Sequence, residues 1–246
     1  MTNAHTLALE EVHIEDSTGY GLLGLNVLGD SVVLNSTFRC NNNINNTDEC
    51  HFQRWNKLSR ERKEISDIGG NALFVHSNSS HGANLRITDS QFSQGRNGHN
   101  YFNLGGGGLG ICLHAYCSSA HNVSVTIFNC TFDSNAAHLG ANVFIDITSL
   151  KICHTCSYAV HISNSTFSNG DASVGGGGLY FKYSVNLKTC RNSWFASVVP
   201  HLYKVLPTPF GYNWSIVIDV QIHFSHFLNN SGGGEGGGIF TWFSTD

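Results

Sequence analysis

"VHISNSTFSNGDASVGGGGLYF", residues 160–181, carries two patterns in succession. Val160 and Ile162 alternate with polar neighbours, the period of a strand with one buried face. After Asn164 the chain reaches Phe167, then a polar turn, then four glycines that lead into Leu179, Tyr180 and Phe181. The same order recurs. Aligned on the Phe, the chain reads "SVVLNSTF" (31–38), "LRITDSQF" (85–92), "VTIFNCTF" (125–132), "VHISNSTF" (160–167) and "VQIHFSHF" (220–227), with "VHIEDSTG" (12–19) as a weaker first copy.

Three columns emerge. One is β-branched throughout: Ile14, Val33, Ile87, Ile127, Ile162 and Ile222. Two residues earlier stand Val12, Ser31, Leu85, Val125, Val160 and Val220, so both columns point inward. Three residues before the Phe come Asp16, Asn35, Asp89, Asn129 and Asn164, broken only by Phe224. Asn and Asp tolerate left-handed backbone, so this column predicts a tight turn with an internal ladder of side-chain amides. Phe38, Phe92, Phe132, Phe167 and Phe227 re-enter the core on a second short strand. Glycine-led apolar segments follow at 69–75, 107–113, 140–145, 177–181 and 237–242, giving three short strands per copy.

The anchor residues are 19, 54, 40, 35 and 60 residues apart, one triangular turn of chain with insertions at corners. The expected fold is therefore all-β: a single-stranded, right-handed parallel β-helix of about six coils, stacked at roughly 4.8 Å and so about 30 Å long. Leucine-rich repeats fit worse, because no copy shows their Leu frame or a helical segment.

"TFDSNAAHLGANVFI" (131–145) and "FLNNSGGGEGGGIF" (227–240) resemble the Phe-x-x-Asn and Gly-Gly-x-Ile repeats of polymorphic outer-membrane and right-handed β-helix repeat proteins, within the broad pectin-lyase-like superfamily. "FSQG" (92–95) and "FSNG" (167–170) carry glycine where that pattern has Asn. The resemblance implies the β-helix fold and leaves activity open.

Composition bounds the function. Charged residues make up 12% of the chain and the net charge is −4, which gives no electrostatic reason for a nucleic-acid partner. No stretch approaches the roughly 18 apolar residues of a membrane span, and the N-terminus lacks a secretory signal. Yet there are eight cysteines, and Asn-x-Ser/Thr sequons at Asn35, Asn45, Asn78, Asn122, Asn129, Asn164, Asn213 and Asn229. These point to an extracellular setting, so residues 1–246 are read as one β-helix domain of a longer secreted or surface protein. Asn35, Asn129 and Asn164 belong to the turn column and are expected to be buried structural amides. Asn45, Asn78, Asn122, Asn213 and Asn229 remain as the credible glycan acceptors.

Cys112, Cys117, Cys153, Cys156 and Cys190 follow glycine-led strands, which places them near one edge as disulfide candidates. Cys40 and Cys50 form the best single pairing, while zinc or redox use of Cys153 and Cys156 lacks a second ligand pair or a thioredoxin-like context. Cys130 stands where other copies have Ser36, Ser90 and Ser165, so a free thiol is expected.

A polysaccharide-cleaving site needs converging carboxylates, and the strands offer few; Asp146 and Lys182 are expected as neighbours in a structural pair. The polygalacturonase signatures are missing. The histidines are scattered without a ligand set, and no Gly-Lys-Ser/Thr follows a glycine run, so no metal, cofactor or phosphate site is expected. The reading is a non-catalytic scaffold whose inserted loops bind glycans or cell-surface proteins. A lyase or hydrolase is the alternative, and a structural spacer the third.

Overall fold

The computed structural model describes residues 6–17, 20–25, 29–41, 70–77, 83–97, 105–116, 121–151, 156–185 and 216–245. All of their regular structure is β. We call each successive passage of the chain through the sheets a rung. Rung 1 comprises β1 (Ala8–Glu10), β2 (His13–Glu15) and β3 (Tyr20–Leu25); rung 2, β4 (Gly29–Leu34), β5 (Thr37–Arg39) and β6 (Gly70–Ser77). Rung 3 comprises β7 (Ala83–Thr88), β8 (Gln91–Ser93), β9 (Arg96–Asn97) and β10 (Leu109–Tyr116); rung 4, β11 (His121–Phe128), β12 (Thr131–Asp133), β13 (Ala136–Leu139) and β14 (Val143–Lys151). Rung 5 comprises β15 (Cys156–Ser163), β16 (Thr166–Ser168), β17 (Asp171–Gly175) and β18 (Leu179–Val185); rung 6, β19 (Ile216–His223), β20 (His226–Leu228), β21 (Ser231–Gly232) and β22 (Ile239–Thr245).

These strands form four parallel sheets, an arrangement consistent with a parallel β-helix. Sheet A runs β1-β4-β7-β11-β15-β19, sheet B β2-β5-β8-β12-β16-β20, and sheet C β3-β6-β10-β14-β18-β22. The short strands β9-β13-β17-β21 make sheet D, a fourth segment that the three-strand expectation did not include.

The aliphatic columns align in sheet A: Val33, Ile87, Ile127, Ile162 and Ile222 are successive register partners. Ile87, Ile127 and Ile162 are fully buried. In sheet B the Phe rings stack face to face, with centroids 4.6–5.0 Å apart from Phe38 through Phe92, Phe132 and Phe167 to Phe227. Parallel strands set that spacing, so one favourable ring contact repeats at every rung. The exception in the aliphatic columns is Ser31, whose buried hydroxyl has no partner; it lines a cavity of about 30 Å³ with Leu85 and Val125.

The first copy lies in a different register from the one expected. Leu9 pairs with Val33, and Ile14 with Phe38. The first copy is therefore "LALEEVHI", residues 7–14, shifted by five. Glu11, at φ 55°, makes the turn that Asn makes elsewhere. Asp16, at φ 53°, belongs to a second left-handed column, at the corner after sheet B, which continues through Cys40, Gln94, Ser134, Asn169 and Asn229. Two corners per rung, both of short side chains or flexible ones, looked alike in a single sequence. That likeness caused the slip.

The Asn column also sits differently. Asn35, Asn129 and Asn164 have the expected left-handed φ of 47–52°, but their side chains are exposed rather than buried. An L residue turned through this corner projects its side chain away from the core. The buried amide ladder belongs to Asn41, Asn71, Asn135, Asn142 and Asn230. Each Nδ2 donates to the next Oδ1 in that order, at 2.9–3.1 Å. Asn41, Asn135 and Asn230 lie three residues after the Phe; Gly95 and Gly170 hold that place in rungs 3 and 5. A Cβ on Gly95 would fall 2.6 Å from Asn71 Nδ2, and one on Gly170 2.7 Å from Asn142 Nδ2. Amide rungs thus alternate with glycine rungs, because each amide occupies the space its glycine neighbours leave. "FSQG" and "FSNG" are the glycine half of this ladder.

Candidate functional site

Sheet C has two faces. One joins the main core through Ile111, Ile145, Ile147 and Phe181. Against the other, β13 and β17 lay Leu139 and Val174, which pack with Leu73, Cys112, Phe144 and Tyr180 in a second apolar cluster. The glycines before these strands make that layer possible. Gly176 has φ 67°, and a Cβ on Gly177 would meet the Ser231 carbonyl oxygen at 2.2 Å.

Directly after this cluster, the same face presents Cys112, Asp146 and Lys182 as consecutive register partners in β10, β14 and β18. Lys182 Nζ donates to Asp146 Oδ2 at 3.3 Å, and Thr148 Oγ1 donates to Asp146 Oδ1 at 3.0 Å. Thr148 in turn lies 3.0 Å from Ser184 Oγ. Asp146 is 1% exposed and Lys182 16%. The neighbours expected from sequence are therefore a buried ion pair in which both carboxylate oxygens are already occupied. No second carboxylate hydrogen-bonds to this group among the described residues. One carboxylate bound to an ammonium can hold charge and position a ligand, whereas glycosidase-type acid and base roles use two carboxylates.

Cys112 was a disulfide candidate; it is instead a buried thiol. Burial pushes its pKa up to about 12, the Asp146 charge adds to this and Lys182 opposes it. Packed with Phe144 and Tyr180 on the outer face of sheet C, its side chain lies under the β13–β17 layer and away from the edge where sequence position alone placed it. Cys130 is a free buried thiol, as expected, with Sγ 3.2 Å from the Phe128 carbonyl oxygen and its pKa pushed up to about 12 by burial. Its serine counterparts donate to the corresponding carbonyl: Ser90 to Thr88 and Ser165 to Ser163. Cys40 is disulfide-bonded. Cys156 opens β15, while Cys50, Cys117, Cys153 and Cys190 lie outside the described residues.

Of the acceptor asparagines, Asn122 is exposed on β11 and Asn229 at its left-handed corner, and Asn45, Asn78 and Asn213 lie outside the described residues. Asn35, Asn129 and Asn164, set aside from sequence as buried, are exposed like Asn122 and Asn229. Asn129 Nδ2 donates to Asp89 Oδ1 of the preceding rung.

Elsewhere the titrating groups are scattered along the rungs. Burial pushes the Asp133 carboxyl up, but hydrogen bonds from Ser168, Asn169 and Ser134 outweigh it and hold its pKa below the usual value. His138 Nδ1 lies 2.6 Å from Ser173 Oγ, and burial lowers its pKa. Among the described residues no group of three His, Cys, Asp or Glu side chains is placed to hold a metal ion. No family model, curated protein or solved structure matches this chain.

Proposed function

We propose that the chain is a single-stranded right-handed β-helix of about six coils, akin to the pectin-lyase-like superfamily, and a non-catalytic extracellular or cell-surface scaffold that recognises glycans or proteins. One observation carries this reading. From each of rungs 1 to 5 the chain passes from sheet C to sheet A of the next rung. The stretches 78–82, 117–120, 152–155 and 186–215 each join a sheet-C strand to the sheet-A strand of the next rung. They contain Asn78, Cys117, Cys153, Cys190, Trp194, Asn213 and Trp214. Insertions that carry aromatic, amide and thiol residues between the strands of a stiff frame suit recognition, since aromatic and polar groups on loops held by such a frame give contact at low entropic cost.

The second reading, a polysaccharide lyase or hydrolase, draws on the Asp146–Lys182 pair on the outer face of sheet C. A glycan array and a polysaccharide-degradation screen separate the two. Binding that is lost in Trp194→Ala or Trp214→Ala and kept in Asp146→Ala is the expected result. Product release from a uronate polymer, abolished by Asp146→Ala, would overturn the non-catalytic reading.

A further inference from the structure

Each corner between sheets A and B turns one side chain outward, and the hydrogen bonds between rungs set these side chains against one another. Glu11 donates its backbone N–H to the Leu34 carbonyl, Asn35 to Thr88, Asp89 to Phe128, Asn129 to Ser163 and Asn164 to His223. The six corner residues, from Glu11 to Phe224, share a left-handed φ of 47–55°. Their side chains therefore leave the stack in parallel, about 4.8 Å apart. Neighbours in this column touch: Asn129 Nδ2 donates to Asp89 Oδ1 at 2.6 Å.

Two adjacent members stand out. Asn164 is exposed, opens the acceptor pattern Asn164-Ser165-Thr166, and its side-chain amide has no hydrogen-bond partner among the described residues. Phe224, beside it in rung 6, puts an aromatic ring in water where the other rungs carry Glu, Asn or Asp. This neighbour relation is internal to rungs 5 and 6 and does not depend on what lies beyond either of them.

We infer that Asn164 carries an N-linked glycan whose first N-acetylhexosamine packs the apolar face of its ring on Phe224. The inference rests on the extracellular reading above, because the donor is a lipid-linked glycosyl diphosphate of the secretory route. Asn164 Nδ2 attacks the anomeric carbon of that donor. The C–N bond forms, the anomeric C–O bond breaks, the lipid diphosphate leaves with the electron pair, and the amide gives up one proton. The fold accommodates the product, since Ser165 is fully buried and the turn at Asn164 directs its amide outward. The Phe224 ring gains an apolar partner in place of water, which gives an aromatic residue a reason to stand in a polar column. Asn35 and Asn129 open the same acceptor pattern in the same column. Asn35, however, stands between Glu11 and Asp89, and Asn129 between Asp89 and Asn164, so neither faces an aromatic ring across it.

Peptide mapping of the full chain from the cells that make it tests the modification. The peptide that contains Asn164 is expected to carry sugar, and to show the Asn-to-Asp mass change after treatment with a glycan-releasing amidase. A double-mutant cycle tests the packing, with both positions on the surface so that the variants keep the core. In glycosylated protein, Asn164→Gln is expected to lower the melting temperature by about 2 °C, and by less than about 1 °C when Phe224→Ala is also present. In protein made with lipid-linked glycan synthesis blocked, the two shifts are expected to coincide. A secreted chain with other sequons occupied and Asn164 bare would overturn the inference and leave the extracellular reading standing. A chain retained in the cytosol would overturn both. Equal shifts with and without Phe224 in the glycosylated protein would overturn the packing of the sugar on that ring.

Discussion

Phe132 in rung 4 and Phe227 in rung 6 occupy the same column, the same strand and the same ring stack, yet Phe132 is fully buried and Phe227 is not. The same holds for Asn135, which is fully buried, against Asn230, which is partly exposed. Each pair shares residue type and place in the sheets. Burial differs because a rung is covered only by its neighbours, so each side chain depends on the rung above it and the rung below. In such a stack the energetics are close to a sum of nearest-neighbour terms, and among the described residues rung 6 has a neighbour on one side.

Substitutions in covered rungs and in rung 6 sharpen that contrast. The largest difference is expected between glycines. Gly170→Ala would put a Cβ 2.0 Å from the Gly177 carbonyl oxygen, whereas one on Gly234, in the final rung, meets nothing within 4 Å. Urea titration should show Gly170→Ala losing more than about 4 kcal/mol and Gly234→Ala staying within about 0.5 kcal/mol of wild type. Equal losses would mean that the rungs do not pack as closely as described.

Truncating the ring stack comes next. Phe132→Ala should cost about 4 kcal/mol, in the range for buried aromatic deletions, and Phe227→Ala about half as much, because its cavity is open to water on one side. The amide ladder follows. Asn135 accepts from Gly95 N–H and Asn71 Nδ2, and donates to the Phe92 carbonyl and Asn142 Oδ1. Asn135→Ala strands several buried polar groups and should cost about 3 kcal/mol, against about 1 kcal/mol for Asn230→Ala. A hydrogen-exchange experiment that found Gly95 as protected in Asn135→Ala as in wild type would break this account.

The smallest effect depends on pH. Asp133 has its pKa held below the usual carboxylate value, and Leu228 takes its place in rung 6. A depressed folded-state pKa stabilises the fold at pH above the ordinary carboxylate value. That contribution disappears as pH falls through the folded-state value, below about 4. Asp133→Asn should therefore lower stability slightly at neutral pH and flatten the acid limb of a stability-against-pH curve. An unchanged acid limb would show that the three hydrogen bonds favour neither protonation state.

Much of this architecture was legible in the sequence because a stack of parallel strands repeats its environment at every rung. The columns through Val33 and Phe38 register as aligned, and Cys130 fills a serine place as a buried thiol. Errors arose where two environments share a residue preference. Asp16 and Glu11 both sit at left-handed corners, and Asp16 looked more like the Asn of later copies. Asn35, Asn129 and Asn164 were taken for the buried ladder because Asn suits both a turn and an amide ladder. The true ladder was present as an alternation of Asn41, Gly95, Asn135, Gly170 and Asn230. Its glycines looked like departures until the rungs were stacked. For the candidate site, the Asp146–Lys182 pairing followed from position after glycine-led strands. The face on which Cys112 lies did not, since an edge and a buried row can be one residue apart along a strand.

The sequence alone therefore determined the all-β class, the inward columns, the stacked phenylalanines and the places where the chain turns, because each depends on residues close together in a repeating pattern. Tertiary structure decided which asparagines are buried, which face of sheet C holds Cys112, and why glycine alternates with Asn. Those properties belong to contacts between rungs, 64 and 88 residues apart along the chain where the amide ladder passes from one rung to another, and no local pattern encodes them.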